Sequence, residues 1–171
     1  MRNKNMLFSE LGGFVIYDRL VLNKYLEKNE LFDTDILSYF TGTNHGDTVI
    51  QKGVVVPILN IPPDYYSIKM VNNVPRESIL NISNGWSLYS NSGIVTIVGI
   101  GYLKDVTTIN LDNSLLFNIS KGWYKLNIIS YYENSVPTLG LRFIKTKRQP
   151  PFHGNIDIDL PSANVENTNQ D

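Results

Sequence analysis

The sequence predicts a mainly β chain, an antiparallel β-sandwich or open barrel with one or two short helices in its N-terminal quarter. Three observations point there. The 171 residues contain one alanine, Ala163, against 18 Ile, 13 Val and 10 Tyr. Alanine is the best helix former, whereas β-branched and aromatic residues suit strands. Short apolar runs recur at roughly 8–12-residue spacing, bounded by turn residues, a rhythm typical of sandwiches and barrels. The length fits one domain, assigned to residues 1–160, which can bury roughly two-thirds of its unfolded surface without a disulfide or metal. An A+T-rich genome would also enrich Asn, Ile and Tyr, so the pattern carries the argument.

The first strand is Gly13–Tyr17, ended by Asp18. Residues Leu20 to Phe40 form the helical region. Leu22, Tyr25 and Leu26 share one face of a first helix. Asp33 or Thr34 can cap a second through Ile36, Leu37 and Phe40. Thr41-Gly42-Thr43-Asn44-His45-Gly46-Asp47 is a dense turn cluster. Strands follow at Thr48–Ile50, Val54–Leu59 and Tyr65–Val71. The Asn84-Gly85 pair suits a tight hairpin turn, because both residues tolerate positive φ. Trp86–Tyr89 leads to a second turn, Ser90–Gly93. Ile94–Ile100 is apolar on both faces, as a central strand is. Val106–Leu111, Leu115–Ile119, Trp123–Tyr132 and Leu139–Thr146 complete the set. Lys147–Pro151 leaves the domain. Ile156, Ile158 and Leu160 alternate with Asp157 and Asp159, an edge-strand pattern, and 161–171 reads as a polar, disordered tail.

Two segments echo each other. Ile58 to Met70 aligns without gaps on Leu116 to Ile128. Each reads as strand, three-residue turn, aromatic pair and alternating strand, with Asp64 or Gly122 where the turn needs positive φ. A recurrent hairpin and a pseudo-symmetric sandwich both explain the echo. Both place Tyr66 and Tyr124 in the core.

Several function classes drop out. With no Cys, there are no disulfides, no Cys-ligated zinc and no thiol nucleophile. Two histidines, His45 and His153, leave little for a multi-histidine centre, so no metal and no cofactor is expected. A net charge of −1 argues against binding nucleic acid through bulk charge. Ser9, Glu10, Gly12 and Gly13 interrupt the basic start before any signal-peptide core. No apolar run reaches the roughly 18 residues of a membrane span. The expectation is therefore a cytoplasmic protein that does not enter membranes. Gly99-Ile100-Gly101-Tyr102-Leu103-Lys104 lacks both the third glycine of a dinucleotide loop and the Gly-Lys-Ser/Thr ending of a P-loop. No Gly-x-Ser-x-Gly elbow is present.

What remains is binding. Asp33 and Asp35, two residues apart, can hold a cation or imitate phosphates before a basic partner. Tyr39, His45, Asp47, Lys104 and Asp105 sit in expected turns, where aromatic and charged residues serve as anchors and steering groups. These seven are the candidate partner-binding residues; no catalytic residue is assigned. His45 near Asp47 also admits a hydrolase reading. Trp86 or Trp123 as an exposed platform admits a carbohydrate- or ligand-binding sandwich. The basic cluster of Lys145, Lys147 and Arg148 lacks the interleaved aromatics of a base-stacking surface.

Phe14-Val15-Ile16-Tyr17-Asp18 and Phe117-x-Ile119-x-x-Gly122-Trp123-Tyr124-x-Leu126 resemble the competence nuclease-inhibitor family and the wider class of small bacterial immunity proteins that neutralise polymorphic toxins. The match spans about a sixth of the chain, and Tyr39-Phe40-Thr41-Gly42 does not reproduce the family's middle motif. The resemblance implies a non-enzymatic β-rich domain that binds a protein partner, a cognate toxin domain, and occludes its active site. It leaves the oligomeric state open.

Overall fold

The computed structural model describes residues 5–154. The expected strand at Ile156–Leu160 and the tail at 161–171 lie outside the described residues. The described residues are mainly β, with two open sheets and three α-helices. Its strands are β1 (Met6–Phe8), β2 (Phe14–Tyr17), β3 (Val55–Ile58), β4 (Tyr65–Met70), β5 (Ile79–Ser90), β6 (Ile94–Gly99), β7 (Ser114–Asn118), β8 (Gly122–Glu133) and β9 (Val136–Thr146). The helices are α1 (Arg19–Lys28), α2 (Ile36–Gly42) and α3 (His45–Gln51). A five-stranded sheet runs β1-β4-β9-β8-β5, and a four-stranded sheet β3-β2-β6-β7.

Strand alternation sorts side chains into two large cores, beside a small third cluster of Val74, Ile129 and Tyr131. One takes Phe14, Ile16, Val56 and Ile97 from the smaller sheet, and Ile68, Leu88, Leu126 and Leu141 from the larger. The other faces of β2, β3 and β6 give Val15, Tyr17, Val55 and Val98 to the helices. There they meet Leu22, Tyr25 and Leu26, the α1 face expected from spacing. Burial pushes the Tyr17 hydroxyl up to about 12, partly offset by Arg19.

The structure corrects the reading in several places. The larger sheet is mixed, because β4 pairs parallel with β9, so the chain is not wholly antiparallel. Thr41–Asp47 is not one turn: α2 ends at Gly42, and His45–Gln51, part of which was expected to be a strand, forms α3. A Cβ on Gly46 would lie 2.2 Å from the Phe40 carbonyl oxygen, so this glycine permits close approach of α3 to α2. Asn84-Gly85 makes no hairpin. It lies within β5 at a register shift between Ser83 and Trp86, where Gly85 adopts φ +83°. The exit segment crosses there, with His153 N–H donating to the Gly85 carbonyl at 2.9 Å. Val106–Leu111 is no strand either. Asp105 accepts from the Thr107 N–H, and Asn113 from the Asn110 N–H, which gives the backbone local partners instead of a ladder.

The echoing segments are not hairpins but two matching crossovers between sheets. β3 and β7 are the two edges of the smaller sheet, and β4 and β8 flank β9 in the larger. Tyr66 donates its hydroxyl to the Pro62 carbonyl and Tyr124 to the Ser120 carbonyl, four residues back in each case. Ile61 N–H donates to Gly12 and Ile119 N–H to Gly93, again at equivalent positions. Gly122 has φ +134°, whereas Asp64 is not in the left-handed region. Both tyrosines are buried, as expected.

Candidate functional site

The joint between the smaller sheet and the helices is built on Asp18. Its Oδ1 caps α1, accepting from the Leu20 and Val21 N–H groups at 2.9 and 3.4 Å. Its Oδ2 accepts from Ser90 Oγ, Asn91 N–H, Ser92 N–H and Ser92 Oγ at 2.7–2.9 Å. The residue is fully buried. Burial alone would raise its pKa, but the hydrogen bonds from Ser92, Ser90 and Val21 outweigh it and hold the carboxyl below its usual range. This joint fixes the start of α1, and through it the loops that follow.

Beyond α1 the chain turns through Glu30 and Asp33, both at positive φ, and enters α2 at Asp35. Asp35, not Asp33 or Thr34, is the cap: its carboxylate accepts from Ser38 N–H at 2.9 Å and Ser38 Oγ at 2.8 Å. These bonds, assisted by Lys104, hold its pKa below the ordinary value. The tight helical turn Ile100–Lys104 packs against α2. It brings Lys104 and Asp105 to Asp33 and Asp35 around a depression of about 310 Å³, floored by Leu26, Leu31 and Ile36. Four of the seven candidate residues thus meet, three carboxylates and one ammonium.

Tyr39 and His45 form a second group. Tyr25 OH and His45 Nδ1 are hydrogen-bonded at 2.7 Å, and the Tyr39 ring lies 4.9 Å from the imidazole. Burial and the neighbouring Tyr39 raise the Tyr25 pKa. Tyr39 follows Asp35 by one helical turn, so the two share a side of α2. Asp47 stands apart, on a small depression with Ile50, Gln51, Phe152 and Gly154. His45 is therefore engaged with tyrosines, not with Asp47. Among the described residues no three His, Asp or Glu side chains are grouped to hold a metal ion. Trp86 is 2% exposed, donates to Ser83 Oγ and is packed by Phe152, so it cannot serve as a sugar platform. Trp123 stacks on Tyr89 at 4.8 Å.

Sequence reasoning missed an apolar groove of about 600 Å³ adjoining the acidic depression and sharing Phe32, Val106 and Thr107 with it. Leu20, Phe32, Ile94, Leu111 and Leu116 line it, all exposed, Leu111 at 78%. One signal was present: Leu111 stands alone among Asn110, Asp112 and Asn113, an apolar side chain in a polar turn.

No helix among the described residues is long and apolar enough to cross a membrane. No family model and no curated protein matches the chain. The fold is similar to the crystal structure of ComJ, inhibitor of the DNA degrading activity of NucA, from Bacillus subtilis. The identity is 12% and the TM-score 0.51, over 82% of this chain and 93% of that one. The resemblance to the competence nuclease-inhibitor family noted in two short segments therefore extends to the fold.

Proposed function

We propose that the chain is a bacterial, cytoplasmic, non-enzymatic immunity protein, a sandwich of two facing sheets that binds a toxin or nuclease and covers its active site. The observation that carries this reading is the cluster of Asp33, Asp35 and Asp105 around Lys104, on a fold like that of a nuclease inhibitor. An enzyme that cleaves DNA presents Lys and Arg to the phosphates. Asp35 and Asp105, already held by their capping hydrogen bonds, can take phosphate positions with little further ordering. Tyr39 and His45, on the same side as Asp35, add aromatic contact at the edge of that surface. Asp47 lies to one side and contributes at most to the rim. A standard interface buries about 800 Å² per partner, within reach of a domain this size.

The test is titration of the purified chain against the toxin or nuclease domain encoded beside it. Loss of DNA degradation at a one-to-one ratio is expected. Changing Asp33, Asp35 and Asp105 together to Lys should weaken inhibition at least tenfold. Full nuclease activity in excess chain, with no protection of cells, would overturn the proposal.

A further inference from the structure

The smaller sheet is treated unequally on its helix-facing side. Over β3, β2 and one end of β6, the helices cover Val55, Val15, Tyr17 and Val98. Towards β7 the helical layer stops. Ile94 is 41% exposed and Leu116 48% exposed, with Thr96, the cross-strand partner of Leu116, between them. α1 forms one wall through Leu20, and the 106–111 segment forms the other through Leu111. Phe32 closes the end that opens onto the acidic depression. The floor is thus a bare strip of sheet beside a helix already packed on that sheet. Helices packed side by side sit about 8–10 Å apart, and an apolar strip beside one is shaped for another.

We infer that this groove is a docking site for an amphipathic helix of a partner protein, one with an apolar face and basic residues at the end that meets Phe32. The apolar face is called for by the five exposed side chains. The basic end is called for by charge: at the Phe32 end three carboxylates face a single ammonium, Lys104. The incoming helix continues the layer begun by α1 and removes from water an apolar surface that the described residues leave open. The surface deepens the inhibitor reading and rests on it only for whose helix this is.

The test uses synthetic 18-residue amphipathic helices with a fixed leucine face and either a Lys/Arg-rich or a Glu-rich polar face. Binding to the full chain is followed by fluorescence anisotropy. The basic peptide should bind at least tenfold more tightly than the acidic one. Ile94→Ser combined with Leu116→Ser should weaken it at least tenfold, and so should Leu111→Ser, at a residue outside the cores and 78% exposed. Leu80→Ser, on an exposed residue of the other sheet, should change nothing. Asp33→Asn with Asp105→Asn should erase the preference for basic over acidic peptide. Circular dichroism checks that each variant is folded. Absence of peptide binding, insensitivity to the groove variants, or equal binding of the acidic peptide would overturn the inference. So would a dimer in sedimentation that Leu116→Ser dissociates, since the groove would then belong to a second copy. Peptide binding in the groove without inhibition of any nuclease would leave this site standing and remove the inhibitor reading.

Discussion

Asp18 and Asp35 do the same local task and end in opposite roles. Each caps the N-terminus of a helix, and each is held below its usual pKa by hydrogen bonds. Asp18 is fully buried, and both its oxygens are engaged, one by α1 and one by the turn after β5. Asp35 stands in solvent, its carboxylate accepting from the Ser38 N–H and hydroxyl with Lys104 nearby. A carboxylate whose lone pairs are filled by the fold serves as a joint; one with capacity left over is free to meet something else. Substitutions at the two positions should therefore separate stability from binding.

The largest effect is expected at the joint. Asp18→Ala leaves the buried Ser90 hydroxyl and the part-buried Asn91 and Ser92 N–H groups without their acceptor and uncaps α1. A loss of about 3 kcal/mol or more is expected, read as a lower midpoint in urea unfolding. If the midpoint barely moves, water replaces the carboxylate and the joint is not structural.

Next comes pH. The Asp18 carboxyl is held down in the folded state and returns to about 3.9 in the unfolded chain. Its contribution is therefore complete above that value and is lost as pH falls through the lower folded-state value. Urea midpoints measured from pH 6 down to pH 2 should fall below about pH 4. Asp18→Asn should start lower and show a flatter decline. A parallel decline in both proteins would place the acid sensitivity elsewhere.

The smallest effect on stability is expected at Asp35. Asp35→Ala frays the first turn of a seven-residue helix on the surface, so the melting temperature should drop by a few degrees at most. Partner binding should suffer more than folding. A large drop in melting temperature with unchanged binding would reverse the contrast between the two aspartates.

The strands were legible where one strand's own residues decide its state. β2 and β6 are inner strands, apolar on both sides, and Phe14–Tyr17 and Ile94–Gly99 announce this directly. Leu22, Tyr25 and Leu26 did the same for α1. Legibility ended where a residue's role depends on something distant. Gly46 reads as turn punctuation, but its lack of a side chain matters because Phe40 presses on it. Gly85 reads as a hairpin tip, but its shape answers to the passing backbone of His153. The two echoes read as hairpins because strand-turn-strand looks the same whether the second strand pairs back or crosses to another sheet. The candidate site was legible as a set of residue types on loops. The meeting of Asp33 and Asp35 with Lys104 and Asp105 was not, since some seventy residues separate them and only the packing of Ile100–Lys104 against α2 joins them. The groove stayed hidden because an exposed leucine has no periodicity to betray it.

The parallel pair of β4 and β9 carries a consequence for the order of events during synthesis. β9 is the middle strand of the larger sheet and the last of the nine described strands to be made. Until residues 138–141 have left the ribosome, β4 has only the three residues of β1 as a neighbour, and β8 and β5 form a separate ribbon. Such long-range closure is slow compared with local pairing. The larger sheet is assembled only once β9 has been made, so a message cut short before β9 yields a chain with exposed strand edges and no route to the native fold.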